Sequence, residues 1–254
     1  MSYSYLSGPG QPNVKVSTGR KQAVAGCAIG ILVLDLRYPL FPGNVANATT
    51  WDFPVIYKIL EGAGAEIFDA DPSILDKVIK GGRELEQQGV RAIIGSCGYF
   101  ANYQKEAAKS IDAPVFMSSL LQVPIILSAL RPDQKLGIIC AFKGGLTPHL
   151  FGQVGISDTS RLAVAGAQDL PEFQNLLNCT GSFNSNNLEQ EVVELAKQFV
   201  QQNPDIRAIL LECSDMPPYA HAIQEAVRMP VFDFVTLVNW VQNAVVRRPF
   251  FGFI

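Results

Sequence analysis

The sequence is poor in charge, in histidine and in long apolar runs. Only 17% of its 254 residues are Asp, Glu, Lys or Arg, and the formal net charge is −3. Much of the surface is therefore left to uncharged polar groups or to subunit contacts. No block of Lys and Arg could neutralise a phosphate backbone, which argues against a nucleic-acid partner. The basic doublets near the ends are only Arg20-Lys21 and Arg247-Arg248. No apolar run approaches the roughly 18 residues needed to span a bilayer. The longest, "AVAGCAIGILVL" (23–34), is closed by Asp35. The opening "MSYSYLSGPGQPNVKVSTGRKQ" lacks the apolar stretch of a secretory signal, so residues 1–22 read as a flexible polar arm. A cytoplasmic protein with no membrane partner is the expectation.

The cysteines lack a pattern of their own. Five of them (27, 97, 140, 179 and 213) show no CxxC spacing, and the two histidines, His149 and His221, stand apart. Neither a disulfide framework nor a zinc site is expected, so no metal is assigned. The glycines at 62, 64, 81 and 82 fit neither a dinucleotide fingerprint nor a phosphate loop. No cofactor is expected.

What the sequence does have is a repeat. "AIIGSCGYFANYQ" (92–104) and "AILLECSDMPPYA" (208–220) each run from a buried-type strand into a cysteine. Laid without a gap, residues 91–116 match 207–232 at 8 of 26 positions, including Cys97 on Cys213 and Pro114-Val115-Phe116 on Pro230-Val231-Phe232. Gly30-Ile31 falls on Gly137-Ile138 at a shorter offset, and the Gly/Asn-rich loop "LLNCTGSFNSNN" (176–187) accounts for the difference. The chain thus reads as a duplicated α/β unit.

The remaining pattern fits. Continuous apolar runs at 27–35 and 135–141 suit parallel strands buried on both faces. Helical spacing predicts a helix over 54–64, a short strand over 65–70 and a helix over 72–88. The strand to Cys97, a helix over 101–111, the strand "PVFM" and a helix over 119–130 complete the first half. The second half predicts strands at 161–166, 206–213 and 230–233, with helices at 187–202, 217–228 and 234–246. The fold class expected is α/β: two pseudo-symmetric parallel-sheet lobes with the active site in the cleft between them. The boundaries are 23–130 and 131–254, and the last helix is free to pack back on the first lobe.

In open parallel sheets ligands bind beyond the carboxyl ends of the strands. Cys97 and Cys213 stand at two such ends, each ahead of a helix whose N–H groups would lower a thiol below its usual value of about 8.5. Two thiols flanking one carbon suit stereo-inversion: one removes a proton and the other returns it on the opposite face. A single cysteine at a strand end is more often buried filler, whereas two at equivalent places of a duplicated unit favour function.

At this point the sequence resembles the aspartate/glutamate/hydantoin racemase superfamily, over about residues 24–246. The anchors are "GSCGYF" (95–100) and "LLECSDMPPY" (210–219). The resemblance implies two catalytic cysteines, Cys97 and Cys213, and no pyridoxal cofactor. It makes "GNVANATTW" (43–51) a substrate loop, with Asn47 and Thr49 the chosen contacts. "AFKGGLT" (141–147) is the loop's counterpart, with Thr147 at the place of a family hydroxyl. Gly98 and Tyr99 replace a frequent Asn-Thr pair, leaving backbone N–H groups for a carboxylate. Ser214 stands for a frequent Thr, and Asp215 for the histidine of glutamate racemases. Related enzymes include maleate isomerases and arylmalonate decarboxylases.

The residues leave alternatives open. Thr50 or Asp52 could cap the helix beginning near Pro54, and Ser118 and Ser119 could cap another. Asp35 could orient a cysteine or pair with Arg37, and Asp215 could tune Cys213 or cap a helix. Cys27, Cys140 and Cys179 read as structural. The tail "RRPFFGFI" (247–254) suggests a homo-oligomer contact. The expected activity is a cofactor-independent racemase or epimerase acting beside the carboxylate or amide carbonyl of a small acid or cyclic amide. A maleate-type cis–trans isomerase and a non-catalytic small-anion binder are the alternatives.

Overall fold

Each half of the chain builds its own parallel sheet. The computed structural model describes residues 24–248; the arm at 1–22 and the tail from 249 onward lie outside the described residues. The first sheet holds β1 (Ile29–Leu34), β2 (Val55–Leu60), β3 (Ala92–Gly95) and β4 (Val115–Phe116), in the order β2-β1-β3-β4. The second holds β5 (Lys135–Cys140), β6 (Leu162–Gly166), β7 (Ile206–Leu211) and β8 (Val231–Phe232), in the order β6-β5-β7-β8. All six strand pairs are parallel, and every crossover carries an α-helix except that from β1 to β2, which holds only a 3₁₀ turn at Ala48–Thr50. This is the α/β class expected from sequence.

The strand registers reproduce the sequence repeat. Ile93 faces Val115 as Ile209 faces Val231, and Gly30 faces Ile93 as Gly137 faces Ile209. The first bond beyond each central ladder is also matched: Ser96 N–H donates to Leu32 O and Glu212 N–H to Ile139 O, both at 2.9 Å.

Among the described residues, eight α-helices cover the sheets: α1 (Pro72–Gln87), α2 (Gln104–Ser110), α3 (Val123–Ala129), α4 (Pro148–Gln153), α5 (Pro171–Leu177), α6 (Ser185–Gln202), α7 (Ala220–Val227) and α8 (Phe234–Val245). Local chemistry starts them. Asp71 caps α1 by accepting from Ser73 N–H, and Pro72 fits its first turn. In α1 the buried Ile74, Val78 and Leu85 share one face with Gly81 and Gly82. A Cβ at Gly82 would strike Ile111, so glycine there lets the helix lie close. Asp233 and Thr236 form a capping box at the start of α8. The apolar face of α8 (Phe234, Leu237, Val238 and Val241) then lies on Ile29, Ile31, Ala92 and Ile94 of the first sheet. Alternation sends the neighbouring Leu32 and Ile93 into the main core instead.

Two segments depart from the periodicity. Residues 55–60 form β2 rather than a helix, and pair with all six residues of β1. Val, Ile and Tyr fit a pleated surface, and this half-buried edge strand sends Val55 and Tyr57 to one core and Ile56 to the other, so its apolar residues need not alternate with polar ones. Ala65–Asp69 is a short 3₁₀ helix rather than a strand, ended by Ala70 in the left-handed region at φ 56°. Helices α4 and α5 were not anticipated. The segments after both cysteines begin as 3₁₀ turns, Gly98–Tyr103 and Pro217–Tyr219, before α2 and α7.

Candidate active site

Both sheets have their switch point beside the first strand of the half, where crossovers leave in opposite directions. The residues beyond the carboxyl ends of β1, β3, β5 and β7 converge there on a cavity of about 90 Å³. Tyr38 and Asn44 arrive from the β1 side, Ser96, Cys97 and Tyr99 from β3, Ala141 from β5, and Glu212, Cys213, Ser214 and Asp215 from β7. Both cysteines therefore line one cavity.

Their surroundings differ. Cys213 is 7% exposed, and its thiol donates to Asp215 Oδ2 at 3.6 Å while Asp215 N–H points back at the sulfur at 3.5 Å. Asp215 also accepts from the Tyr38 hydroxyl at 3.2 Å and from the Asn44 side-chain amide. Burial pushes the Asp215 carboxyl up to about 6, and the bonds from Tyr38, Cys213 and Asn44 pull in the opposite direction. Cys97 has no carboxylate bonded to it. It caps the following 3₁₀ turn with extended backbone (φ −145°) and no side-chain capping bond, and the Tyr99 N–H faces its sulfur.

Both thiols are held well above the ordinary thiol value, first by burial and then by neighbouring carboxyls. For Cys97 the carboxyl is chiefly Glu212; for Cys213 it is Asp215, then Glu212. The expected lowering by a helix N-terminus is not what the site does. A 3₁₀ turn gathers fewer aligned peptide dipoles than an α-helix, and desolvation beside anionic oxygen outweighs it. The resting site holds two thiols, and a thiolate at Cys213 forms only if the proton has somewhere to go. Asp215 is within reach.

Of the other residues singled out from sequence, Tyr99 and Ser214 line the cavity. The Tyr99 hydroxyl donates to Phe142 O at 2.6 Å and accepts from Phe142 N–H at 2.8 Å, tying the first half to the loop after β5. Gly98 is buried against Glu212. Asn47, Thr49 and Thr147 are absent from the lining. Asn47 caps a 3₁₀ turn at Ala48–Thr50, accepting from Thr49 N–H and Thr49 Oγ1. Thr147 caps α4 by accepting from Leu150 N–H. Asn44 and Ala46 of the first loop and Ala141 of the second line the cavity, while the short side chains of Asn47, Thr49 and Thr147 bond locally. Asp35 pairs with Arg37 and accepts from Gly62 N–H, outside the cavity.

Among the polar lining residues, Tyr38, Ser96 and Glu212 were not singled out from sequence, and Asn44 stood only as one member of the polar loop from which Asn47 and Thr49 were chosen. Only Glu212 gave a signal, as a charged residue closing the apolar run "AILLE" (208–212). The lining includes the carboxyls of Asp215 and Glu212 and the rings of Tyr38, Phe68 and Tyr99, and no Lys, Arg or His among the described residues. The described residues contain no cluster of His, Cys, Asp or Glu placed to hold a metal ion, and no helix long and apolar enough to cross a membrane.

No family model matches the chain. Dimethylsulfoniopropionate lyase 7 of Emiliania huxleyi is 31% identical over 236 residues, which take in 89% of this chain and 69% of that protein. The chain belongs to the dimethylsulfoniopropionate lyase family. It spans between 47% and 81% of the length of five such curated lyases. Among solved structures, allantoin racemase from Klebsiella pneumoniae superposes with a TM-score of 0.60 at 18% identity, covering 86% of this chain and 87% of that one. A glycine-to-cysteine mutant of arylmalonate decarboxylase gives 0.58 at 15% identity, covering 85% and 92%. This lyase-family chain therefore has the fold of the aspartate/glutamate/hydantoin racemase superfamily, and it is an enzyme.

Proposed function

We propose that the protein is a lyase that eliminates dimethyl sulfide from dimethylsulfoniopropionate or a close sulfonium analogue. The substrate carries a sulfonium sulfur on the carbon β to its carboxylate. In the reaction Asp215 accepts the Cys213 thiol proton, and the Cys213 sulfur takes a proton from the carbon α to the carboxylate. The C–H electron pair becomes the new C=C bond, the β-carbon–sulfur bond breaks, and its pair stays on the departing dimethyl sulfide. Acrylate and one proton complete the balance. No cofactor is required, because the leaving group departs as a neutral molecule.

One observation carries this reading: the cavity offers two carboxyls and three aromatic rings but no cationic side chain among the described residues. Such a lining favours a substrate with a fixed positive centre, which ring faces and the Asp215 carboxylate attract, over a dicarboxylate such as aspartate or glutamate. A single dyad of base and thiol is enough for elimination, whereas inversion needs equivalent proton donors on both faces. The family relationship points the same way.

The test is dimethyl sulfide release, followed by gas chromatography, from the full chain with dimethylsulfoniopropionate. Release in stoichiometry with acrylate is expected, and its loss in Cys213→Ser. Inversion of allantoin, aspartate or glutamate without dimethyl sulfide formation would return the protein to the racemases.

A further inference from the structure

Glu212 is fully buried at the end of β7 and belongs to no step above. Its Oε2 accepts from Ala141 N–H at 3.2 Å, while Oε1 has no hydrogen-bond partner among the described residues. A Cβ built on Gly98 would collide with that Oε1, so the glycine after Cys97 is what leaves room for the carboxyl. The backbone carbonyl of Glu212 is held by the Ser119 hydroxyl from the first half. Glu212 is thus wedged between the segment carrying Cys97 and the strand carrying Cys213. Its counterpart in the repeat is Ser96.

A buried carboxylate with one oxygen unbonded is costly, while the neutral acid in the same place is not. The titratable groups facing it are Cys97, Cys213, Tyr99, Cys140 and Asp215, none of which supplies positive charge. Burial accordingly raises Glu212 to about 8.

We infer that Glu212 is a positioning residue that works only in its protonated form, setting the Cys97 segment against the Cys213 sulfur and silencing the site when it ionises. Neutral, it fills the space left by Gly98. Ionised, it puts a second anion beside a sulfur that must itself become anionic. This rests on the elimination reading for its kinetic consequence, though not for its protonation.

The experiment compares wild type, Glu212→Ala and Glu212→Gln for dimethyl sulfide release across pH 6–10. Glu212→Ala should lower kcat/KM by about a hundredfold, as misplacement of a reacting group does. Glu212→Gln, an uncharged isostere, should restore most of that loss and remove the alkaline fall-off centred near pH 8. A Gln variant as slow as Ala, or one that keeps the wild-type alkaline limb, overturns the proposal. Cys213 alkylation by iodoacetamide, followed by mass spectrometry, reads the same point without turnover. Above pH 8 it should be faster in Glu212→Gln than in wild type, and equal rates overturn the inference even where the lyase assay is positive. If wild type releases no dimethyl sulfide but the alkylation difference is present, the elimination reading fails and the protonation of Glu212 stands. If the Gln variant does not fold, infrared titration of wild type decides: a buried carboxylic acid must lose its band near pH 8, and its absence overturns the proposal.

Discussion

The two halves share one scaffold but not one chemistry. Around Cys97 the neighbouring sequence is Ser96, Gly98 and Tyr99; around Cys213 it is Glu212, Ser214 and Asp215. The backbones at these places are equivalent down to the matching bonds of Ser96 to Leu32 and Glu212 to Ile139. Duplication delivered two thiols to one cavity, and the second half supplies both carboxyls: Asp215 bonds Cys213, while Glu212 lies between the two sulfurs and acts on both. A two-thiol inversion asks that each sulfur serve as base for one enantiomer. Here one sulfur has a proton acceptor and the other does not, an asymmetry suited to a reaction that takes a proton from one face and returns none.

Substituting each thiol breaks or sharpens that contrast most directly. Cys213→Ser should lower kcat for dimethyl sulfide release by about 10³-fold or more, at the upper end for loss of a proton-transfer group. Cys97→Ser should cost about tenfold, because it removes packing and polarity rather than the base. Equal losses of 10³-fold in both would mean the thiols are functionally matched after all. Steady-state kinetics on the two variants side by side settle it.

Next in size is the acceptor. Asp215 must be ionised to take the Cys213 proton, so kcat/KM should fall as pH drops below about 6. Asp215→Asn should reduce the rate about a hundredfold near neutrality and flatten that acid limb. An unaltered acid limb in the variant would assign the titration to another group. Smaller again are the residues that hold Asp215. Tyr38→Phe removes one donor to its carboxylate, so the carboxyl value rises and the acid limb moves to higher pH, with about a tenfold loss at pH 6.5. Tyr57→Phe, whose hydroxyl bonds Trp51 and the Val45 carbonyl away from the cavity, should leave the acid limb in place.

How much of this could be read from the letters depends on the distance over which the information is stored. The repeat, the two thiols and the parallel sheets were legible because strand runs and matched cysteines are local or self-similar. The register of 93 with 115 and 209 with 231 follows the alignment itself. Residues 55–60 were misread because a half-buried edge strand with apolar side chains on both faces imitates the spacing of a helix. Tyr38 was not legible, and Asn44 could be told only as one polar residue of its loop among several. Their bonds to Asp215 cross more than 170 positions, and nothing near them in the chain announces the partner. Asn47 and Thr49 looked equally suitable, and only the course of the loop decides that they bond each other. The direction of the thiol shifts was also out of reach, because it depends on two carboxyls closing over the sulfur in space.

The smallest effect belongs to stability, and it separates the halves once more. The folded-state value of Glu212, about 8, lies above its ordinary 4.5, so between those limits the native protein keeps a proton that the unfolded chain has released. Stability from this group is therefore fully present below pH 4.5, declines as pH rises to 8 and is level beyond. Asp215 adds a decline of the same sign between its ordinary 3.8 and about 6. Glu212→Gln deletes the larger slope. Its melting temperature should exceed that of wild type at pH 8.5 and approach it at pH 5, read by differential scanning calorimetry. Ser96→Ala, at the matched position of the first half, removes no titrating group and should leave the pH slope as it is. A Ser96 variant that changed the slope, or a Glu212 variant that did not, would show that the two ends of the repeat are electrostatically alike, and the asymmetry on which elimination depends would be lost.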